Sequence, residues 1–161
     1  MTRARFQTFD DPSHAKGPER IEALRAALRE IGADGFVVPR ADEHQSEYVP
    51  ADAERLAWLT GFTGSAGTAI VLQESAALFV DGRYTVQAPA QVDTGILTVV
   101  SVAETTPEAW LGAHLKSGQI LAYDPWLHTP DGVARLKRAA AKVGATLRAT
   151  EKNLVDAVWA G

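Results

Sequence analysis

The chain contains no cysteine, few aromatic residues and no long hydrophobic run. The absence of cysteine excludes disulfide bonds, thiolate metal ligands and a thiol nucleophile, and it fits a reducing compartment. No segment approaches the ~20 consecutive apolar residues that span a bilayer, and the first residues lack the apolar core of a secretory signal. We therefore expect a cytoplasmic protein with no membrane partner.

An excess of positive charge is also lacking. The 161 residues include 16 Lys and Arg against 20 Asp and Glu, which gives a formal net charge of −4. A nucleic-acid-binding surface needs clustered Lys and Arg. The one basic cluster, from Arg135 to Lys142, falls on a single predicted helix, where a solvated helix face explains it. We predict no nucleic-acid partner.

What the chain does have is the composition and periodicity of one globular α/β domain. Hydrophobic residues make up 46% and charged residues 22%, values that are ordinary for a folded soluble domain. Apolar spacing predicts helices over 18–31, 52–59, 106–115 and 130–143. It predicts strands over 35–38, 68–72, 77–80, 96–102, 119–123 and 145–149. The alternation, with one hairpin, predicts a three-layer fold in which helices flank both faces of a mixed β-sheet.

The four histidines do not form a metal-binding pattern. They are isolated from one another, and only His44 lies among carboxylates, in the segment from Asp42 to Glu47. A hydrolytic metal centre needs three or more imidazole or carboxylate ligands at one point. Capping of backbone groups in a polar loop explains this segment better. We predict no metal ligand in this chain.

Three glycines, Gly61, Gly64 and Gly67, precede a predicted strand at three-residue spacing. Phosphate-binding loops follow a strand and open a helix, so nucleotide binding explains these glycines poorly. Ser65 also lacks the Gly-x-Ser-x-Gly context that exposes a nucleophile. We expect the glycines to permit positive φ or close backbone approach in a sharp loop.

Arg83 is the best candidate for function by position. It lies in the string Asp-Gly-Arg-Tyr (81–84), which follows a predicted strand and opens a predicted helix. Strand ends in α/β sheets direct side chains into clefts, and a guanidinium group can hold a carboxylate or a peptide carbonyl. The structural alternative is an ion pair with Asp81 that closes the turn, and the residues alone leave both roles open.

Three strings together resemble a known family: Asp42–Tyr48, Gly61–Ala69 and Asp81–Tyr84. From about Ile21 to Trp159 the chain is similar to the N-terminal domain of the long, cytosolic-type Xaa-Pro aminopeptidases (aminopeptidase P) of the creatinase/prolidase superfamily. The resemblance implies their three-layer, ribonuclease H-like fold. It also implies a polar N-terminal extension (1–17), a creatinase-like domain (18–152) and the start of a linker to a second domain (153–161). We expect Trp159 to be exposed in that linker.

The resemblance further implies a function for a larger parent protein. That protein would be a metallopeptidase that removes the N-terminal residue preceding proline, with two divalent ions, typically manganese, held in a separate C-terminal catalytic domain. The present domain would contain no catalytic residue; it would orient substrate, gate the active site and contribute to a homodimer.

The resemblance implies site roles for five residues of this chain. Arg83 matches an arginine of the family that contacts bound peptide, whereas Asp42, His44, Glu47 and Tyr48 match a string expected to face the catalytic domain. Two alternatives stay open. One is the corresponding domain of a prolidase or a creatine amidinohydrolase, and the other is a free-standing binding module with the same fold.

Overall fold

A mixed β-sheet forms the centre of the fold. The computed structural model describes residues 12–42, 44, 49–50 and 53–160. Within them the strands are β1 (Gly35–Pro39), β2 (Thr68–Leu72), β3 (Ala76–Val80), β4 (Thr98–Ser101), β5 (Ile120–Tyr123) and β6 (Thr146–Ala149). Their order across the sheet is β4-β3-β2-β1-β5-β6. Strand β2 pairs antiparallel with β1 and β3, and the other pairs are parallel, so β2 runs against the other five strands.

Helices cover both faces of this sheet. They are α1 (Pro12–Glu30), α2 (Arg55–Thr60), α3 (Gln87–Gln91), α4 (Pro107–His114), α5 (Pro130–Lys142) and α6 (Leu154–Ala160). Helices α1, α2 and α6 pack together on one face, and α4 and α5 pair on the other. Among the described residues, no helix is both long enough and apolar enough to cross a membrane.

Each strand contributes alternate side chains to two hydrophobic layers. Phe36 and Val38 of β1 pack in the layer beneath α1, α2 and α6, whereas Val37 packs in the layer beneath α4 and α5. A strand that is buried on both faces needs apolar residues at successive positions. This explains why Gly35–Pro39 is a continuous apolar run without polar alternation.

The predicted α/β class, the mixed sheet and its hairpin are confirmed, and each strand lies within two residues of its predicted bounds. Helix α1 begins at Pro12, before the predicted start at residue 18, and α2 begins at Arg55 instead of residue 52, which lies outside the described residues. The predicted basic face of α5 is exposed at Arg135, Lys137, Arg138 and Lys142. The proposed domain boundaries stay predictions.

The last helix packs against the domain. Asn153 Oδ1 accepts a hydrogen bond from Val155 N (2.8 Å), and its Nδ2 donates to Asp124 (3.0 Å), so the residue caps α6 and ties it to the end of β5. The Trp159 ring stacks on Trp58 of α2, with ring centroids 5.4 Å apart. The expected exposure of Trp159 is therefore wrong, because the ring finds an aromatic partner on α2.

Candidate functional site

The carboxyl ends of five parallel strands lie along one edge of the sheet, which we call the carboxyl edge. Asp42 and His44 follow β1, and Arg83 follows β3, so the topology brings these predicted site residues to the same edge. Strand β2 separates β1 from β3, which places their ends about 10 Å apart at the usual strand spacing. Glu47 and Tyr48 lie outside the described residues.

Arg83 lies in a tight turn after β3. The backbone N–H of Arg83 donates to Asp81 Oδ1 (2.9 Å), and this bond opens a 3-10 helix, Gly82–Tyr84, in place of the predicted longer helix. The guanidinium group then folds back on the same carboxylate, with Nη2 donating to Oδ2 at 2.9 Å. The side-chain hydrogen bond between these two residues lowers the pKa of Asp81 and raises that of Arg83. The Arg83 side chain nevertheless remains 66% exposed.

Tyr84 joins this turn to the glycine-containing loop, residues 61–67. Its hydroxyl accepts a hydrogen bond from Ser65 N (3.0 Å) and also hydrogen-bonds the Ser65 hydroxyl. Hydrogen bonds from Ser65 lower the pKa of Tyr84. The ring packs edge-on against Phe62, with centroids 5.4 Å apart. Tyr84 thus anchors the turn that contains Arg83 to this loop through both its hydroxyl group and its ring.

The loop glycines have the roles that the sequence predicts. Gly61 ends α2 with a φ of 88°. A Cβ on Gly64 would lie 2.3 Å from Phe62 Cζ and 2.9 Å from Tyr84 Cε1. A Cβ on Gly67 would lie 3.0 Å from Phe62 Cε2. The first glycine supplies a left-handed helix end, and the other two allow the backbone to pass directly over an aromatic ring.

Two polar side chains that sequence reasoning missed hold the same loop. Arg40, directly after β1, donates from Nη1 to Ser65 O (3.1 Å) and pairs with Glu54 (3.1 Å). Gln91 of α3 accepts from Thr63 N (3.0 Å) and donates to Thr63 Oγ1 (2.8 Å). The only feature of the sequence that could have pointed to Arg40 is its position after a strand. No local feature points to Gln91, because its partner Thr63 lies 28 residues away in the chain.

Asp42 and His44 form a short capped turn. Asp42 is 3% exposed, and its Oδ1 accepts from His44 N (3.0 Å), whereas the His44 side chain is exposed. This is the backbone-capping role that a polar loop after a strand predicts. Within the described residues there is no group of three or more His, Cys, Asp and Glu side chains that could hold a metal ion.

Large apolar side chains also project from the carboxyl edge. Val86 follows the Arg83 turn and is 84% exposed, Val102 follows β4, and Trp126 follows β5 and is 71% exposed. Trp126 was not predicted as a site residue, although the proline before it marks a chain reversal. The strand order places Val86 and Val102 at one end of this edge and Trp126 nearer the other, so the exposed apolar groups are spread along the edge.

His128 follows the 3-10 helix that contains Trp126, and its ring packs edge-on against Tyr123, with centroids 5.6 Å apart. Its Nε2 is buried and makes no hydrogen bond to any described residue. Burial lowers the pKa of His128, and Asp124 opposes this shift only in part. The lowered pKa favours the neutral imidazole in the folded state.

These groups suit binding better than catalysis. In the part of the chain that the structure describes, Ser65 is bonded to a tyrosine and not to a histidine base. Nucleophilic catalysis needs a base within hydrogen-bond reach of the nucleophile. What the carboxyl edge offers instead is an exposed guanidinium group on a hydrogen-bonded turn and a set of exposed apolar side chains.

Comparison with known proteins gives consistent matches. The family model described as "Creatinase/Prolidase N-terminal domain" matches residues 20–157. A protein of Aspergillus niger, "Probable Xaa-Pro aminopeptidase P", is 40% identical over 144 residues, which are 88% of this chain and 23% of that protein. The present chain thus spans about a quarter of the length of this curated relative.

Solved structures share the architecture. The X-prolyl aminopeptidase of Caenorhabditis elegans, described as a cytosolic enzyme with a di-nuclear active site, superposes with a TM-score of 0.82 at 28% identity, over 89% of this chain and 26% of that one. The N-terminal domain of the cytoplasmic peptidase PepQ of Mycobacterium tuberculosis superposes with a TM-score of 0.64 at 23% identity, over 87% of this chain and 98% of that one. The second likeness concerns the fold alone.

Proposed function

The chain belongs to the creatinase/prolidase N-terminal domain family, and from this premise we propose that it is the non-catalytic N-terminal domain of an Xaa-Pro aminopeptidase. The whole protein would remove the N-terminal residue of peptides that have proline in the second position. The identity with a relative of that name, over 88% of this chain, supports the proposal. The cytosolic description of the C. elegans structure supports a cytoplasmic location.

The observation that carries a binding role is the state of Arg83. Its side chain is exposed, yet it is held in one direction by Asp81 and lies over the Tyr84 ring, with Cζ 5.1 Å from the ring centroid. An ordered, exposed guanidinium is ready to donate hydrogen bonds to a peptide carbonyl or carboxylate. We assign Arg83 to substrate orientation beside the active site of a catalytic domain.

The surrounding carboxyl edge would face that catalytic domain. The exposed side chains of Val86, Val102 and Trp126 support this assignment, because apolar groups in water gain most from being covered. Asp42, His44, Glu47 and Tyr48 would belong to the same face. We extend the proposal to gating of the active site and to homodimer contacts in the full-length protein.

Two divalent metal ions would form a di-nuclear centre outside this chain, like the di-nuclear active site of the C. elegans enzyme. The described residues do not fit such a centre, since no group of three candidate ligands converges among them. Manganese is the ion we propose for the catalytic domain. The contribution of the present chain is restricted to binding and orientation.

Activity of the full-length protein tests the proposal. We expect manganese-dependent release of the first residue from a peptide such as Ala-Pro-Ala. Arg83→Ala should lower kcat/KM by about 10- to 100-fold, the range for losing a hydrogen bond from a charged donor, with metal content unchanged. Arg135→Ala is the matched control, because Arg135 is an exposed arginine on α5 whose pair with Glu108 is long, at 3.8 Å.

Two results would contradict the proposal. If the full-length protein released nothing from Xaa-Pro peptides with manganese present, the aminopeptidase assignment would be wrong. If it cleaved them and Arg83→Ala behaved like Arg135→Ala, Arg83 would be a turn residue and the substrate contact would lie elsewhere.

A further inference from the structure

We propose that the groove between α4 and α5 binds an acidic helical segment of a partner protein, through carboxylates that lie one helical turn apart. The residues that line this groove include none of the Arg83 turn. Binding here is therefore separate from the peptide contact proposed for Arg83, and it does not depend on the aminopeptidase function.

Basic side chains form one wall of the groove, which has a volume of about 510 Å³. They are Arg135, Arg138 and Lys142 of α5. The facing helix contributes one carboxylate to the lining, Glu108, which lies 3.8 Å from Arg135. Three positive charges against one negative charge give the groove a net charge of +2, in a chain whose formal net charge is −4. The groove is thus a local positive site on an acidic chain, and it attracts anions.

Arg138 has no partner within the described part of the chain. Each other described arginine donates a hydrogen bond, except Arg135, which pairs with Glu108. Arg138 is exposed and forms neither a hydrogen bond nor an ion pair with a described residue, and Lys142 forms no ion pair there either. A guanidinium group without an internal acceptor is available to hold a carboxylate through two parallel hydrogen bonds.

The spacing of the two unpaired cations indicates the form of the partner. Arg138 and Lys142 are four residues apart on α5, so they lie on the same side of the helix, about 6 Å apart along its axis. Glutamates four residues apart on a second helix have the same spacing. A helix that lies along the groove between α4 and α5 would therefore place one carboxylate against each cation. A long polyanion fits less well, because the rest of the chain is negatively charged and repels it.

The floor of the groove leaves room for such a helix. It consists of small residues, Ala109, Gly112 and Ala139. Gly112 lies inside α4, where glycine is less favourable than alanine, and a Cβ on it would meet no other described element within 4 Å. The fold itself does not need glycine at this position. The open space above Gly112 instead allows a partner to approach α4 closely.

Fluorescence anisotropy with the full-length protein tests the proposal. The probe is a labelled, alanine-based helical peptide, acetylated and amidated, with glutamates at positions i and i+4. One comparison peptide has glutamine at both positions, and another has the glutamates at i and i+2, on different sides of the helix. Because an exposed ion pair at close range is worth about fivefold, we expect the probe to bind about 25-fold and about fivefold more tightly than these two peptides. Its binding should weaken as salt rises to about 0.3 M.

Variants test the charge and the space of the groove separately. Arg138→Glu should weaken binding of the probe by at least about tenfold, whereas Lys137→Glu, the same charge change on an exposed residue outside the groove, should change it by less than about threefold. Gly112→Leu fills the groove without changing its charge and should also weaken binding by at least about tenfold. Ala113→Leu is its control, because Ala113 is exposed but does not line this groove. Urea denaturation checks that each variant is folded.

Salt-sensitive binding that depends on glutamate spacing and is lost in Arg138→Glu and Gly112→Leu supports the proposal. It is overturned if the probe shows no saturable binding up to about 0.5 mM protein, if the three peptides bind equally, or if each variant behaves like its control. Tighter binding of a single-stranded oligonucleotide of the same charge would also overturn it. Peptide cleavage is not measured, so none of these results bears on the proposed function.

Discussion

Two arginines at opposite edges of the sheet use their side chains in different ways. At the amino edge, where the parallel strands begin, Arg25 Nε donates to Leu72 O (2.7 Å), and Asp34 Oδ2 accepts from Ile120 N (2.8 Å). These groups complete the hydrogen bonding of neighbouring backbone. At the carboxyl edge, Arg83 bonds within its own turn and leaves its outer side free.

The difference distinguishes a side chain that stabilises the fold from one that is proposed to bind a ligand. A side chain that satisfies the backbone of another element contributes to folding, and its loss leaves a polar group without a partner. An exposed ion pair contributes little to stability, so the pair between Arg83 and Asp81 is not needed to hold the fold, which is consistent with the proposed binding role of Arg83. Beneath that exposed surface the carboxyl edge has a packed floor, formed by Phe62 and the loop over it.

The largest effect on stability should come from a substitution in this packed floor. Phe62 is 1% exposed, and we expect Phe62→Ala to lower the free energy of unfolding by about 3–5 kcal/mol. Val86→Ala, at the same edge but 84% exposed, should change it by less than about 0.5 kcal/mol. Urea denaturation measures both. Equal effects of the two variants on the free energy of unfolding would mean that the buried floor and the exposed surface of this edge contribute equally to stability.

We expect a smaller loss of unfolding free energy when a side chain is added to the loop that packs over Phe62. Gly64→Ala places a methyl group 2.3 Å from Phe62 Cζ, and we expect a cost of about 1–3 kcal/mol. Gly82→Ala is the control, because its Cβ meets nothing within 4 Å and alanine there should be neutral or stabilising. Destabilisation by Gly82→Ala that matches Gly64→Ala would argue against close packing as the cause.

A direct comparison of the edges uses one arginine from each. Arg25→Met removes the donor to Leu72 O, and we expect it to cost about 1–2 kcal/mol of unfolding free energy. Arg83→Met breaks only an exposed pair within one turn and should have an effect close to zero. Urea midpoints at constant m-value distinguish the two. A larger effect for Arg83→Met would reverse the proposed difference between these two arginines.

The smallest effect concerns pH and His128. Because burial lowers the pKa of His128 in the folded state, its contribution to stability is complete above the unfolded pKa of about 6.5 and is lost as pH falls from there through the folded value. His128→Gln should flatten the fall in stability between about pH 7 and pH 5. Identical pH slopes for the two proteins, measured by urea denaturation, would show that the imidazole is not held neutral.

Several features of the site followed from local sequence alone. Gly61 and Gly64 could be assigned because a left-handed helix end and a close approach to an aromatic ring both require a missing side chain. Arg83 could be placed at a strand end because the run before it is wholly apolar. The assignment of Arg83 to substrate binding stays a prediction.

Other features could not be read in advance, because they join residues that are far apart in the chain. Arg40 holds the loop through Ser65, and Tyr84 holds it through Ser65 from the other side. Trp159 is half-buried because Trp58 lies beside it, at a separation of 101 residues. No pattern among neighbouring residues of the sequence predicts partners that are so far apart in the chain.

The sequence by itself determined the α/β class, the strands, the sharp glycine loop and the position of Arg83 at a strand end, since apolar periodicity and backbone freedom are properties of short segments. Only the tertiary structure decided which strands are neighbours, which edge carries exposed apolar groups and which side of the Arg83 guanidinium group remains free. Those properties depend on the relative placement of segments, and that placement is set by the packing of both faces of the sheet together.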